Sequence, residues 1–147
     1  MSLSLDSTTD VQKLRLELRL KQLERVESCQ NNFLPFVNSM WPQFIAGRHH
    51  HLIAEKLEQI ANGELKRLII NMPPRHTKSE FASFLFPAWM IGRNPAMKII
   101  QATHTTELAV NFGRKVKNLL EQDDYQEIFD NTILSADSKA SGRWDTK

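Results

Sequence analysis

Apolar positions in the first part of the chain recur at helical spacing on two faces at once. From Thr8 to about Gln30, in TTDVQKLRLELRLKQLERVESCQ, Val11, Leu14 and Leu18 form one stripe, and Leu16, Leu20 and Leu23 form an adjacent one. The pattern predicts a helix, capped by Asp10 and supported by the i,i+4 pairs Lys13–Glu17 and Glu17–Lys21. Apolar residues on two faces predict packing on both sides, as in a docking or lid helix. The following stretch, NNFLPFVNSMWPQFIAGRHHH, is aromatic-rich and broken by Pro35, Pro42 and Gly47. It reads as a loop with short helical turns, and as the boundary between an N-terminal helical and linker region (1–44) and the main unit (45–147). A second helix is expected in HHLIAEKLEQIANG, with Ile53, Leu57 and Ile60 on one face and Gly63 as its stop.

The period then changes. KRLIINM is a short continuous apolar run of strand type, PPRHTK a loop, and SEFASFLFPAWMIG a helix ended by Gly92-Arg-Asn-Pro95. Pro87 lies inside that helical pattern and should kink or divide it. MKIIQAT predicts a second strand and TTELAVNFGRKVKNLLEQ a third long helix. Strand, loop, helix, strand, helix is the order of a parallel α/β sheet. The tail, DDYQEIFDNTILSADSKASGRWDTK, is polar and predicts no convincing last element. Two strands are too few to cover the faces of a doubly wound sheet, so the expectation is the front part of a larger α/β domain.

Composition narrows the class without deciding it. Hydrophobic residues at 41% and charged residues at 24% of 147 positions are ordinary for a soluble globular protein. No apolar run reaches the roughly 18 residues needed to span a membrane, and MSLSLDSTTD lacks the basic-then-apolar order of a signal peptide. A single cysteine, Cys29, excludes an internal disulfide framework and is expected as a small residue on a helix. The formal charge of +2 hides a gradient: residues 48–117 carry eleven Lys or Arg against five Asp or Glu. A basic middle suits polyphosphate or nucleic acid.

The chemistry concentrates in NMPPRHTKSEF, residues 71–81. A phosphate-binding loop needs a strand that delivers the chain to a tight turn, here expected in LIIN, with inward-pointing backbone N–H groups and a helix starting at the anion. Its lysine neutralises the β- and γ-phosphates, and the next hydroxyl residue is a Mg²⁺ ligand. Against the pattern G-x-x-x-x-G-K-[ST], Lys78 and Ser79 match, while Met72 and Thr77 stand at the two glycine positions. Glycine serves there through positive φ and close approach to phosphate, and a β-branched threonine is uncomfortable at positive φ. The fold expected from this loop is an incomplete P-loop NTPase-type parallel α/β sheet flanked by helices, with an N-terminal helix before it.

The stretch GELKRLIINMPPRHTKSEFASFLFPAWMIGRNPAMKIIQATHTTELAVNFGRKVKNLL resembles the ATPase domain of the large terminase subunit of tailed bacteriophages. One branch of that family has Pro-Pro-Arg-His-Gly-Lys-Ser after an apolar strand, against Pro73-Pro74-Arg75-His76-Thr77-Lys78-Ser79 here. The FPAW, GRNP, FGR and DSKASGRW stretches are similar to that branch as well, so the resemblance covers residues 45–146. It implies an ATP-driven motor that packages double-stranded viral DNA into a procapsid, working as a homo-oligomeric ring in the host cytoplasm. Its implied partners are the portal protein, where it acts transiently, and the small terminase subunit.

Carried over by position, Pro74, Arg75, His76, Thr77, Lys78 and Ser79 would hold ATP. Ser79 would be the Mg²⁺-site hydroxyl and Arg75 a catalytic arginine stabilising charge on the γ-phosphate. His49 matches the histidine near which such motors hold adenine. The family's acidic strand, coupling motif and nuclease domain have no counterpart here, and Asp123-Asp124 and Asp137 do not follow an apolar strand. The resemblance therefore implies a phosphate-binding portion that does not turn over ATP by itself. Two alternatives stay open: part of a helicase-like nucleic-acid translocase, or a non-catalytic product of a truncated phage gene.

Outside the loop the candidates are weaker. Neighbouring histidines on a helix point in different directions, so His49-His50-His51 reads as capping, packing or the adenine side before it reads as a metal site. His104, after the second expected strand, with Arg114 and Lys115 on the third helix, are DNA-backbone candidates, Lys117 extending that patch. Trp41, Trp89 and Trp144 are expected as core or interface anchors.

Overall fold

The computed structural model describes residues 5–135 and 144–146. Residues 136–143, which include Asp137 and most of DSKASGRW, lie outside the described residues. Six α-helices and one π-helical segment follow in order: α1 Leu5–Asn31, α2 Phe33–Met40, α3 Arg48–Ala61, the π segment Glu80–Leu85, α4 Phe86–Arg93, α5 Thr106–Leu120 and α6 Asp123–Ile128.

No strand is present among the described residues, and the expected parallel α/β sheet is overturned. KRLIINM and MKIIQAT are both irregular, and the β contact among the described residues is an isolated antiparallel bridge between Leu134 and Thr146. A strand exists through the hydrogen bonds of its neighbours, and a continuous apolar run needs cover on both faces. Neither run has such cover: Ile69 is 85% exposed and Ile100 94% exposed.

The helical expectations fare better. α1 starts earlier than expected, so Asp10 lies within it instead of capping it. Val11, Leu14, Leu16, Leu18, Leu20 and Leu23 are all exposed, and the helix joins the core at its C-terminal end through Cys29. α2 replaces the expected loop, with Phe33, Phe36 and Val37 fully buried. α3 ends in a Schellman motif: Gly63, at φ 78°, donates to Ile60 O (3.0 Å) and Glu64 N–H donates to Gln59 O (2.9 Å).

Pro87 divides its helix, as expected. It has no N–H to offer Ser83 O four residues back, and the side chain of Gln101 donates to that carbonyl instead. Just before it the ladder widens, with Phe86 N–H bonding Phe81 O five residues back.

One hydrophobic core unites these elements. Phe33 meets Phe81, Phe86 and Trp89 at ring-centroid distances of 5.5–5.6 Å, and Phe36 meets Tyr125 and Phe129. The core thus draws α2, the π segment, α4 and α6 together, and α3 adds Ile53, Ala54 and Leu57. α6 falls within the tail for which no element is expected; it buries Tyr125 and Ile128, and the Tyr125 hydroxyl donates to Ala88 O (2.8 Å).

α4 ends within the expected Gly92-Arg-Asn-Pro95 stretch, at Arg93 with Asn94 as its cap, and Gly92 lies inside it, against Phe129. A Cβ there would stand 2.4 Å from the Phe129 ring, which is packed by Phe36 and Tyr125 and has little room to move. Gly92→Ala should therefore lower stability by about 2 kcal/mol through overpacking. Urea unfolding checks this as a lower midpoint at unchanged slope.

Candidate phosphate-binding loop

The site begins where the irregular run ends at Met72 and the helical stretch begins at Lys78. Between them the backbone turns left-handed twice, at Arg75 (φ 65°) and Thr77 (φ 57°), with His76 between them not in that region. Alternation of left- and right-handed residues curls a backbone so that successive N–H groups face a concavity suited to an anion. The first backbone N–H to close a turn of the helix is that of Phe81, on Thr77 O (3.0 Å). The N–H groups just before it belong to the helix start, where no intrahelical acceptor exists.

Thr77 thus adopts the left-handed backbone for which glycine is the usual residue. For a β-branched side chain this costs on the order of 1–2 kcal/mol. Its hydroxyl lies 2.7 Å from His76 O and 2.7 Å from His50 Nε2. Two hydrogen bonds of about 1 kcal/mol each are of the right size to offset that strain.

These contacts fix the tautomer of His50. The His76 carbonyl can only accept, so the Thr77 hydroxyl donates to it, and His50 Nε2–H must donate to Thr77 Oγ1. At the other side of the ring, Gly47 N–H donates to His50 Nδ1 (2.9 Å). His50 therefore stands as the neutral Nε2–H form. Gly47 is the N-cap of α3 and His50 its third residue, so this bond repeats the return half of a capping box. Burial lowers the His50 pKa, and His49, His51 and His76 push it the same way. Its ring packs between Phe44 (4.7 Å) and Phe81 (5.1 Å).

The other candidate residues group around this anchor or stand apart from it. Lys78 Nζ folds back to Met72 O at 3.4 Å, a long contact that spans the loop. Pro74, Arg75, His76 and Ser79 are exposed. His76 Nδ1 donates to Pro74 O (3.0 Å), tightening the turn. His49, the expected adenine-side residue, lies beside His50 with its ring tilted against it (3.8 Å between rings) and 6.0 Å from His76, at the loop's flank. His50 is the loop contact that sequence reasoning missed; its position three residues after a helix-capping glycine was the available signal.

Lys115 is engaged: it bonds Glu80 Oε1 at 2.9 Å and lies over the Phe84 ring, linking α5 to the residue after Ser79. Arg114 and His104 are exposed. The described residues contain no cluster of three or more His, Cys, Asp or Glu suited to a metal. Trp89 is a core anchor; Trp41 packs on Phe44 and Trp144 donates to Gly113 O (3.1 Å). Cys29 is buried, and burial pushes its thiol pKa up. No described helix is long and apolar enough to cross a membrane.

No family model, curated protein or solved structure matches the chain.

Proposed function

We propose that residues 72–79 bind the phosphates of ATP. In this reading the chain serves ATP-driven packaging of double-stranded viral DNA into a procapsid, as the phosphate-binding portion of a large terminase subunit. The observation that carries the reading is the left-handed backbone at Thr77. A threonine held at φ 57°, where the phosphate-loop pattern has glycine, preserves the loop's shape despite the substitution. The resemblance of residues 45–146 supports the rest; of the three parts expected of such a loop, the tight turn and the helix start are present among the described residues and the delivering strand is not.

In this reading Lys78 releases Met72 O and turns to the β- and γ-phosphates, while the loop N–H groups take the remaining oxygens. Arg75, exposed on the turn, stabilises charge on the γ-phosphate. Mg²⁺ bound with ATP would screen the phosphate charge, with the Ser79 hydroxyl as its protein ligand. Arg114 and His104 are free to meet a DNA backbone more readily than Lys115, which Glu80 holds. Hydrolysis also needs a carboxylate that orients water; Glu80, next to Ser79, is tied to Lys115.

These 147 residues should therefore bind ATP without turning it over, and kcat should not exceed that of a Lys78→Ala control. Turnover clearly above the control would contradict the assignment of roles. The packaging role is tested by adding procapsids that carry a portal. Retention of the chain on such procapsids, beyond its retention on DNA alone, is expected. Equal retention on any DNA would favour a helicase-like translocase instead.

A further inference from the structure

We propose that His50 is the positioning residue of this loop: its neutral Nε2–H form holds Thr77 left-handed, and loop shape and phosphate affinity therefore follow the state of a histidine on another helix. The inference rests on the phosphate-loop reading of residues 72–79 and adds to it how the loop is held and what can release it.

The geometry forms a single chain of donors and acceptors. Gly47 N–H donates to His50 Nδ1, His50 Nε2–H donates to Thr77 Oγ1, and the Thr77 hydroxyl donates to His76 O. Every link has one direction, so the chain is complete with the imidazole neutral and broken when it is doubly protonated. A second proton on Nδ1 would face the Gly47 N–H, donor against donor. The ring would lose its register at the start of α3, and with it the alignment on Thr77. A glycine at position 77 would need no such anchor, because it enters the left-handed region without strain. The threonine makes the loop dependent on His50.

The surroundings favour the neutral ring. Phe44 and Phe81 enclose it with uncharged faces, while His49 and His51 on its own helix and His76 on the loop are the titratable groups that bear on it. Each of them pushes the His50 pKa down and so opposes its protonation. The sign follows: in the unfolded chain the histidine titrates near 6.5, in the folded chain lower. The contribution of this anchor is fully present above about pH 6.5 and is lost as pH falls below that value toward the folded pKa.

The test combines variants with a pH profile of Mg·ATP affinity. His50→Gln keeps an N–H donor within reach of Thr77 and cannot titrate; His50→Phe keeps the packing and has no donor. At pH 8, His50→Gln should bind within about twofold of wild type and His50→Phe about tenfold more weakly, the equivalent of one hydrogen bond. In a Thr77→Gly background, His50→Phe should add less than about a twofold change, because the anchor then has nothing to hold. As pH falls from 8 toward and through the lowered pKa of His50, wild type should weaken progressively relative to His50→Gln. Taking this difference cancels the protonation of ATP and of every group common to the two proteins.

An unchanged affinity in His50→Phe, or a loss that persists in the Thr77→Gly background, would overturn the proposal. Thr77→Val tests the same bond from the other end should His50→Phe fail to fold. Nitrogen NMR of the nucleotide-free chain separates the two readings. His50 should carry its proton on Nε2 at pH 8, and His50→Phe should shift the Thr77 amide. If that signature is present but ATP does not bind, the phosphate reading fails and the positioning role stands. A Thr77 amide indifferent to His50 refutes the positioning role whatever binds.

Discussion

Replacing Trp89 with alanine should lower the unfolding free energy by about 4 kcal/mol, the upper part of the range for buried aromatic truncation. The side chain is fully buried and touches Phe33 (5.5 Å between rings) and Phe86 (6.2 Å), with the Arg93 guanidinium 4.6 Å from its ring centre. Its Nε1–H donates to Cys29 O at 2.8 Å, fastening the end of α1 to α4. Alanine removes the packing and leaves that buried carbonyl without its donor, a loss of about 1–3 kcal/mol contained in the total. Trp89→Phe keeps most of the volume and should cost about half as much. A domain of this size has roughly 5–15 kcal/mol of stability, so Trp89→Ala should be folded but marginal. Urea unfolding followed by far-UV circular dichroism measures it. A loss below about 1 kcal/mol would mean that α1 and α4 are not joined through this residue.

Lys78→Ala should weaken Mg·ATP binding on the order of 30- to 100-fold while leaving stability within about 0.5 kcal/mol. The asymmetry follows from what the lysine touches. Its contact with Met72 O is long, at 3.4 Å, so little folding energy depends on it and little is lost when Nζ leaves for a phosphate. A charged hydrogen bond to phosphate is worth about 1.5–3 kcal/mol, and alanine forfeits it entirely. Lys78→Arg should recover only part of the loss, because a planar fork on a longer stem does not occupy the place of a compact ammonium. Calorimetric titration of both variants, beside their urea midpoints, decides this. Equal losses of affinity and stability would make Lys78 a structural residue.

The helices were largely legible because their signals are local. Gly63 stops α3 by the conformation that glycine permits, and Pro87 divides its helix by lacking an N–H; neither needs information from elsewhere in the chain. The strands were misread because a strand is not local. KRLIINM has the composition of a buried strand, but whether it becomes one depends on partners that must satisfy its N–H and C=O groups, and here Ile69 faces outward. α6 had a readable signal, with Tyr125, Ile128 and Phe129 at helical spacing and Asp123 and Asp124 in the first turn, which the polar tail around it obscured. At the site, Lys78 opening a helix after a tight turn was legible from spacing. The role of His50 was not, since one position in a run of three histidines is chosen by the helix phase and by where Thr77 arrives 27 residues later.

Residues 72–79 are proposed to recognise phosphates, not a nucleoside. The most direct measurement is a paired titration of the chain with Mg·ATP and with AMP at pH 8, where His50 is neutral. With Lys78 and the loop N–H groups on the β- and γ-phosphates, as proposed, Mg·ATP should bind at least about 30-fold more tightly than AMP, a difference of ~2 kcal/mol. Equal affinity for the two, or binding of neither, would contradict it.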